Sequence, residues 1–175
     1  MVPQAVEPPL GSVGMTQIHG PVGLGIRLGQ WANGSGFEDF EHVVIYIGNG
    51  LIVEAEPGGA RIAELSEYNG DTIVWLHCPP QYGQAVADAA RALVGTPYSF
   101  LDYDALALHR LHIPAPGLRN YISASGHAIC SQLADIAAQR GGWELFDDGR
   151  WPGYVVPGDI YRLWLAQNAP APLGA

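Results

Sequence analysis

Hydrophobic and polar positions follow two different periods along this chain. Residues 42 to 47, HVVIYI, form a β-branched and aromatic run, the mark of a buried strand. GNG follows, then LIVEA, which predicts a hairpin. ARIAEL at 60 to 65 and TIVWLH at 72 to 77 read as further strands, and the weak alternation over 12 to 18 as a first one. After Pro79-Pro80 the period lengthens. Val86, Ala89, Ala90, Leu93 and Val94 share one helical face, with Gly95 placed as a cap. Ile129, Leu133, Ile136 and Ala137 mark another helix, stopped by Gly141-Gly142, and a last short one follows Pro157-Gly158. Residues 100 to 111 also read as helical. So does Val22 to Trp31, although Gly23, Gly25 and Gly29 weaken it. Strands first and helices later predict an α+β fold, an antiparallel β-sheet packed against helices. Residues 1 to 10, with three prolines, read as a flexible arm. Residues 11 to 165 read as one domain and 166 to 175 as a flexible tail.

Composition narrows the classes. Of 175 residues, 48% are hydrophobic and 14% charged, enough to bury a core and too apolar for wholesale disorder. No run reaches the roughly 18 to 20 apolar residues of a membrane helix, so no transmembrane segment is expected. The net charge of −9, with all eight cations arginine, disfavours nucleic-acid phosphates and anionic membranes as partners. Two cysteines are too few for a disulfide scaffold. The start, MVPQAVEPPLG, lacks the basic and apolar regions of a secretory signal. The location is left unknown, with cytoplasmic and virion-associated placements both open.

Three residue types bear nucleophilic chemistry: Cys130, a histidine and a carboxylate. His42 opens the 42 to 47 strand, and Glu54 and Glu56 lie on its hairpin partner. Paired positions share a face, so loop length decides which can meet. A two-residue loop turns His42 away from both acids. A three-residue loop, Gly48-Asn49-Gly50, pairs Ile47 with Leu51; His42 then lies opposite Glu56 and one diagonal step from Glu54. Cys130 falls where a helix begins, and the unpaired N–H groups there stabilise a thiolate and can cradle an oxyanion. Cys78, at a strand end before two prolines, reads as packing. His127 is a rival base. His109 and His112 have a helical metal spacing but no third ligand nearby, so neither a metal nor another cofactor is expected. His19 and His77 carry no signal.

The segments HVVIYIGNGLIVEA, VGTPYSF, CSQLADIAAQRGG and VVPGDIYRLW together resemble the circularly permuted papain-like branch of the NlpC-type superfamily. That branch is related to the lecithin:retinol acyltransferase family. The resemblance spans roughly residues 10 to 165. It implies His42 as base, Glu54 as the third, orienting residue, Cys130 as nucleophile and Tyr98 as a cleft-lining, substrate-binding residue. Aligned without a gap through the Gly-rich turn, it selects Glu54 over Glu56. Ile129 stands before the cysteine, where nonpermuted cell-wall enzymes usually carry Asp.

The implied activity is that of a cysteine peptidase or amidase, a thiol hydrolase cleaving a peptide or isopeptide amide such as those in peptidoglycan. A lipid acyl hydrolase or acyltransferase with the same triad is the alternative, as is a non-enzymatic module of a phage particle or secreted assembly. The expected partner is a peptide or acyl substrate.

Overall fold

The computed structural model describes residues 7–17, 40, 42–56, 58–98 and 129–168. Five antiparallel strands form one sheet: β1 (Val13–Thr16), β2 (His42–Gly48), β3 (Leu51–Glu56), β4 (Gly59–Glu64) and β5 (Ile73–Leu76). Their order across the sheet is β4-β3-β2-β1-β5. A 3₁₀ turn over Leu65–Tyr68 follows β4. Among the described residues three helices come after the sheet: α1 (Pro80–Ala92), α2 (Cys130–Arg140) and α3 (Pro157–Asn168). The chain is thus α+β, as the order of periods predicts. The helices expected over Val22 to Trp31 and 100 to 111 lie outside the described residues.

The weak alternation at 12 to 18 becomes an inner strand, with β1 hydrogen-bonded to β2 on one side and β5 on the other. Strand alternation divides the sheet into two faces. Val43, Ile45, Ile47 and Val53 join Val13, Met15 and Leu76 on one, packed with Val86, Ala90, Leu133, Ala134 and Ala137 of α1 and α2. Val44, Tyr46, Ile52 and Ala63 occupy the other, covered by Leu65, Tyr68 and Trp75. Gly14 makes that cover possible: a Cβ there would lie 2.7 Å from the Trp75 ring.

The first hairpin differs from expectation. Its turn is two residues, Asn49 and Gly50, both at positive φ (55° and 69°), and Gly48 pairs with Leu51. Asn-Gly is the sequence best suited to a two-residue turn whose twist matches the strands. The remaining residue is absorbed as a bulge between Tyr46 and Gly48. Arg91 of α1 donates to the Ile47 carbonyl at that bulge. The bulge restores the register of the expected three-residue loop, so Val44 faces Glu54.

Element ends also shift. Val94 is exposed, because α1 ends at Ala92 before its period reaches that position. Residues 7 to 10 belong to the packed structure: Pro8 is buried, Tyr46 donates to the Glu7 carboxylate, and Gly11 N–H donates to Tyr46. α3 runs to Asn168, past the expected start of the tail.

The α1–α2 crossing depends on small residues. A Cβ on Gly141 would sit 2.5 Å from Val86 Cγ2 and 2.6 Å from Val86 N. Gly141→Ala is expected to destabilise the protein by about 1–3 kcal/mol, read by urea denaturation. Wild-type stability in that variant would show that the helices do not cross this closely.

Candidate active site

The site assembles where the start of β2 meets the start of α2. His42 is the first residue of β2, paired across the ladder with Thr16 of β1. Thr16 is fully buried, and its hydroxyl has no hydrogen-bond partner among the described residues. Glu54, in the middle of β3, faces Val44 and is one diagonal step from His42. That step is short enough for a long side chain: His42 Nε2 and Glu54 Oε2 are 2.8 Å apart. The same imidazole is hydrogen-bonded to the side chain of Cys130. With Nε2 engaged by Glu54, Nδ1 is the ring nitrogen left to serve the sulfur.

All three side chains are buried, Glu54 completely and His42 and Cys130 to within 5% and 2% of full burial. A buried carboxylate is costly unless it is paired. Arg61 supplies the opposite charge. It faces Glu54 across the β3–β4 ladder, with Nη2 2.6 Å from Oε1. Tyr68 donates its hydroxyl to Oε2, the oxygen that also meets His42. Burial alone would raise the Glu54 pKa, but the hydrogen bonds from His42 and Tyr68 and the charge of Arg61 hold it below the usual carboxylate range. For His42, burial alone would lower the pKa. The hydrogen bonds to Cys130 and Glu54, with their negative charge, outweigh burial and push it up to about 10.

The helix start is fixed from three sides. Ile129, at the N-cap, has no polar side chain, and the Gln132 amide oxygen takes the Ile129 N–H instead at 3.0 Å. Gln132 Nε2 donates to the Gly153 carbonyl at 3.0 Å and Ser131 Oγ to that of Val155 at 2.8 Å. The run Cys-Ser-Gln thus anchors the cysteine's turn to the segment before α3. Tyr98, half-buried, packs against Ile129 and Val156, beside that turn.

Of the residues expected at the site, His42, Glu54 and Cys130 are brought into one hydrogen-bonded chain, and Tyr98 packs next to it. Glu56 is not in it: its side chain is 42% exposed and pairs with Arg61 Nε at 3.1 Å. Cys78 is a buried free thiol whose pKa burial raises to about 11. His77 is exposed. The rival base His127 lies outside the described residues, as do His19, His109 and His112. Among the described residues no group of three or more His, Cys, Asp or Glu side chains could hold a metal ion, and no helix is long and apolar enough to cross a membrane.

Sequence reading missed Arg61 and Tyr68. A signal for Arg61 existed. Two positions, 57 and 58, separate Glu56 from Gly59, and that loop length sets Glu54 opposite Arg61. Tyr68 sits on a 3₁₀ turn whose short span has no readable period.

The His42 shift sets a pH window for stability. A raised folded-state pKa contributes stability in full below the ordinary value of 6.5, and loses it as pH rises toward about 10. The depressed Glu54 value acts oppositely, its contribution falling away in acid. The unfolding free energy of wild type minus His42→Gln is therefore expected to be largest near pH 6 and to shrink steadily toward pH 10. A difference that stays constant over that range would contradict the imidazolium. Comparison of the chain with protein-family models, curated proteins and solved structures returns no match, so the functional reading rests on this geometry.

Proposed function

We propose that the protein is a thiol hydrolase of the amidase or peptidase type, with the permuted papain-like fold of the NlpC-type superfamily. The observation that carries this reading is the chain of contacts Glu54–His42–Cys130, buried at the N-terminus of α2. Chain order supports the permuted form: base and acid come from strands that precede the cysteine's helix.

The chemistry follows from the roles these groups can fill. With the proton already held on His42 Nδ1, the Cys130 sulfur attacks an acyl carbonyl, giving a tetrahedral oxyanion. N–H groups of the first turn of α2 stabilise that charge. The imidazolium returns its proton to the departing amine, and the C–N bond breaks to leave a thioester on Cys130. Water then attacks the thioester. His42 takes and keeps the water proton as the C–S bond breaks, which releases the acid and restores the imidazolium beside the sulfur. Glu54 keeps Nε2–H engaged throughout, so that Nδ1 faces the sulfur. Tyr98, beside Ile129, is placed to line the acyl side of the cleft.

The substrate proposed is a peptide or isopeptide amide, with peptidoglycan stem peptides as the first class to screen. Muropeptides and acyl lipids incubated with the protein, with products read by mass spectrometry, separate amide from ester substrates. Cys130→Ser is expected to lower turnover by at least about 10³-fold while keeping the fold. Near-wild-type turnover in that variant would remove the nucleophile. Glu54→Gln keeps a hydrogen-bonding group but loses the charge and is expected to cost about 10–100-fold in turnover. Glu56→Gln is expected to change it by less than about threefold, because Glu56 touches Arg61 and not the imidazole. Reversed effects of the two substitutions would transfer the orienting role to Glu56.

A further inference from the structure

Glu54 is held by more than the histidine it orients. A carboxylate offers two oxygens and about four acceptor positions, and a glutamate has three side-chain torsions to fix. Its imidazole partner occupies one position on Oε2. Left there, the group would be buried with most of its acceptor capacity unmet and its carboxylate plane free to rotate. Two further residues meet it, one through a hydrogen bond and one through charge. Arg61, cross-strand on β4, takes Oε1, and Tyr68, on the 3₁₀ turn, takes Oε2 beside His42. The Tyr68 ring also runs nearly parallel to the imidazole, with an interplanar angle of 18° and centroids 6.2 Å apart. Oε2 is then met by two hydrogen-bonding partners and Oε1 by the charge of Arg61, although Oε1 makes no hydrogen bond among the described residues; the contacts come from β2, β4 and the 3₁₀ turn.

We infer that Arg61 and Tyr68 are positioning residues: they lock Glu54, and through it aim His42 at Cys130. The inference rests on the proposed function for its catalytic consequence and on the geometry for the lock itself. Both meet the carboxylate, so both act through the acid. Their contributions differ in kind. Tyr68 supplies a neutral donor from a half-buried ring. Arg61 supplies charge, and it is shared. Its side chain is 42% exposed, with Glu67 2.9 Å from Nη2 and Glu56 3.1 Å from Nε. Among the described residues, the charged and titratable groups linked to the imidazole directly or through Arg61 are thus Glu54 and Glu56 on β3, Arg61 on β4, Glu67 and Tyr68 on the turn, and Cys130 on α2. Arg61 is the cation that offsets three acids in that set.

The sign of the effect is determined. Removing a cation or a donor from an ionised carboxylate raises its pKa, and a cation in contact is worth about 1–3 units, toward the low end for a half-exposed arginine. Glutamate labelled with ¹³C at Cδ, assigned with Glu54→Gln, reports the carboxyl titration directly. ¹⁵N-labelled histidine reports exchange of the His42 Nε2–H. In Arg61→Gln the Glu54 midpoint is expected to rise by about one unit, and in Tyr68→Phe by less. Arg61→Lys, which restores charge without the planar fork, is expected to recover most of the shift. The Nε2–H should exchange about fivefold faster in Tyr68→Phe, the equivalent of one hydrogen bond. Turnover should fall in kcat with little change in KM.

Tyr68→Phe and Arg61→Lys keep the fold testable if Arg61→Gln unfolds. An unchanged Glu54 midpoint together with unchanged Nε2–H exchange in those variants would overturn the lock. A shifted midpoint with unaltered exchange and kcat would make the pair structural only, overturning the positioning role. The titration and exchange need no substrate. Should Cys130→Ser leave turnover intact while both NMR readouts shift, the proposed function fails and the lock stands.

Discussion

One buried carboxylate organises this end of the molecule. Glu54 is fully enclosed, yet it is the shared partner of a strand-opening histidine, a cross-strand arginine and a tyrosine from a 3₁₀ turn. Enclosing an ionised group in a sheet is unfavourable unless each of its oxygens is met, and breaking such an arrangement is costlier than never having made it. The sheet supplies the partners by register alone. A bulge after Tyr46 sets Val44 against Glu54, and the loop at 57 and 58 sets Glu54 against Arg61. A shift of one residue in either hairpin would turn one partner to the opposite face.

The cysteine reaches that arrangement from the other layer. Strand alternation puts His42 on the face of Val44 and Tyr46, whereas Cys130 belongs to the core between the sheet and α1 and α2. The two meet because each is the first residue of its element. The anchors at Gly153 and Val155 fix where α2 begins, and small residues from Ala134 to Gly141 let α2 lie close to α1. Packing far from the sulfur thereby sets the direction in which the first turn of α2 points. Cys78, also in the core, shows what burial does to a thiol: its pKa rises to about 11.

Much of this was legible in the chain. The β-branched run from His42, the Gly-Asn-Gly segment after it and the lengthened period after Pro80 locate strands and helices. Alternation placed Glu54 and Glu56 within reach of His42, and the resemblance chose between them as the geometry does. The bulge was not legible. Gly48 and Gly50 both suit a three-residue loop, and only the preference of Asn49-Gly50 for positive φ at both positions favours the shorter turn. Val94 was misread because periodicity does not say where a helix stops. Tyr68 was invisible because a four-residue turn leaves no pattern. The reach of a phenol to a carboxylate 14 residues away is a tertiary fact.

The contacts with Cys130 and Glu54 hold His42 as an imidazolium. Ring ¹⁵N shifts of His42, followed from about pH 6 to pH 10 in wild type and in Cys130→Ala, test it most directly. The account predicts that in wild type both ring nitrogens stay protonated through neutral pH, with loss of the proton near 10. In Cys130→Ala the midpoint should fall, because one of the two partners that raise it is gone, while Nε2–H remains on Glu54. A wild-type imidazole titrating near 6.5, unchanged when the cysteine is removed, would contradict the account.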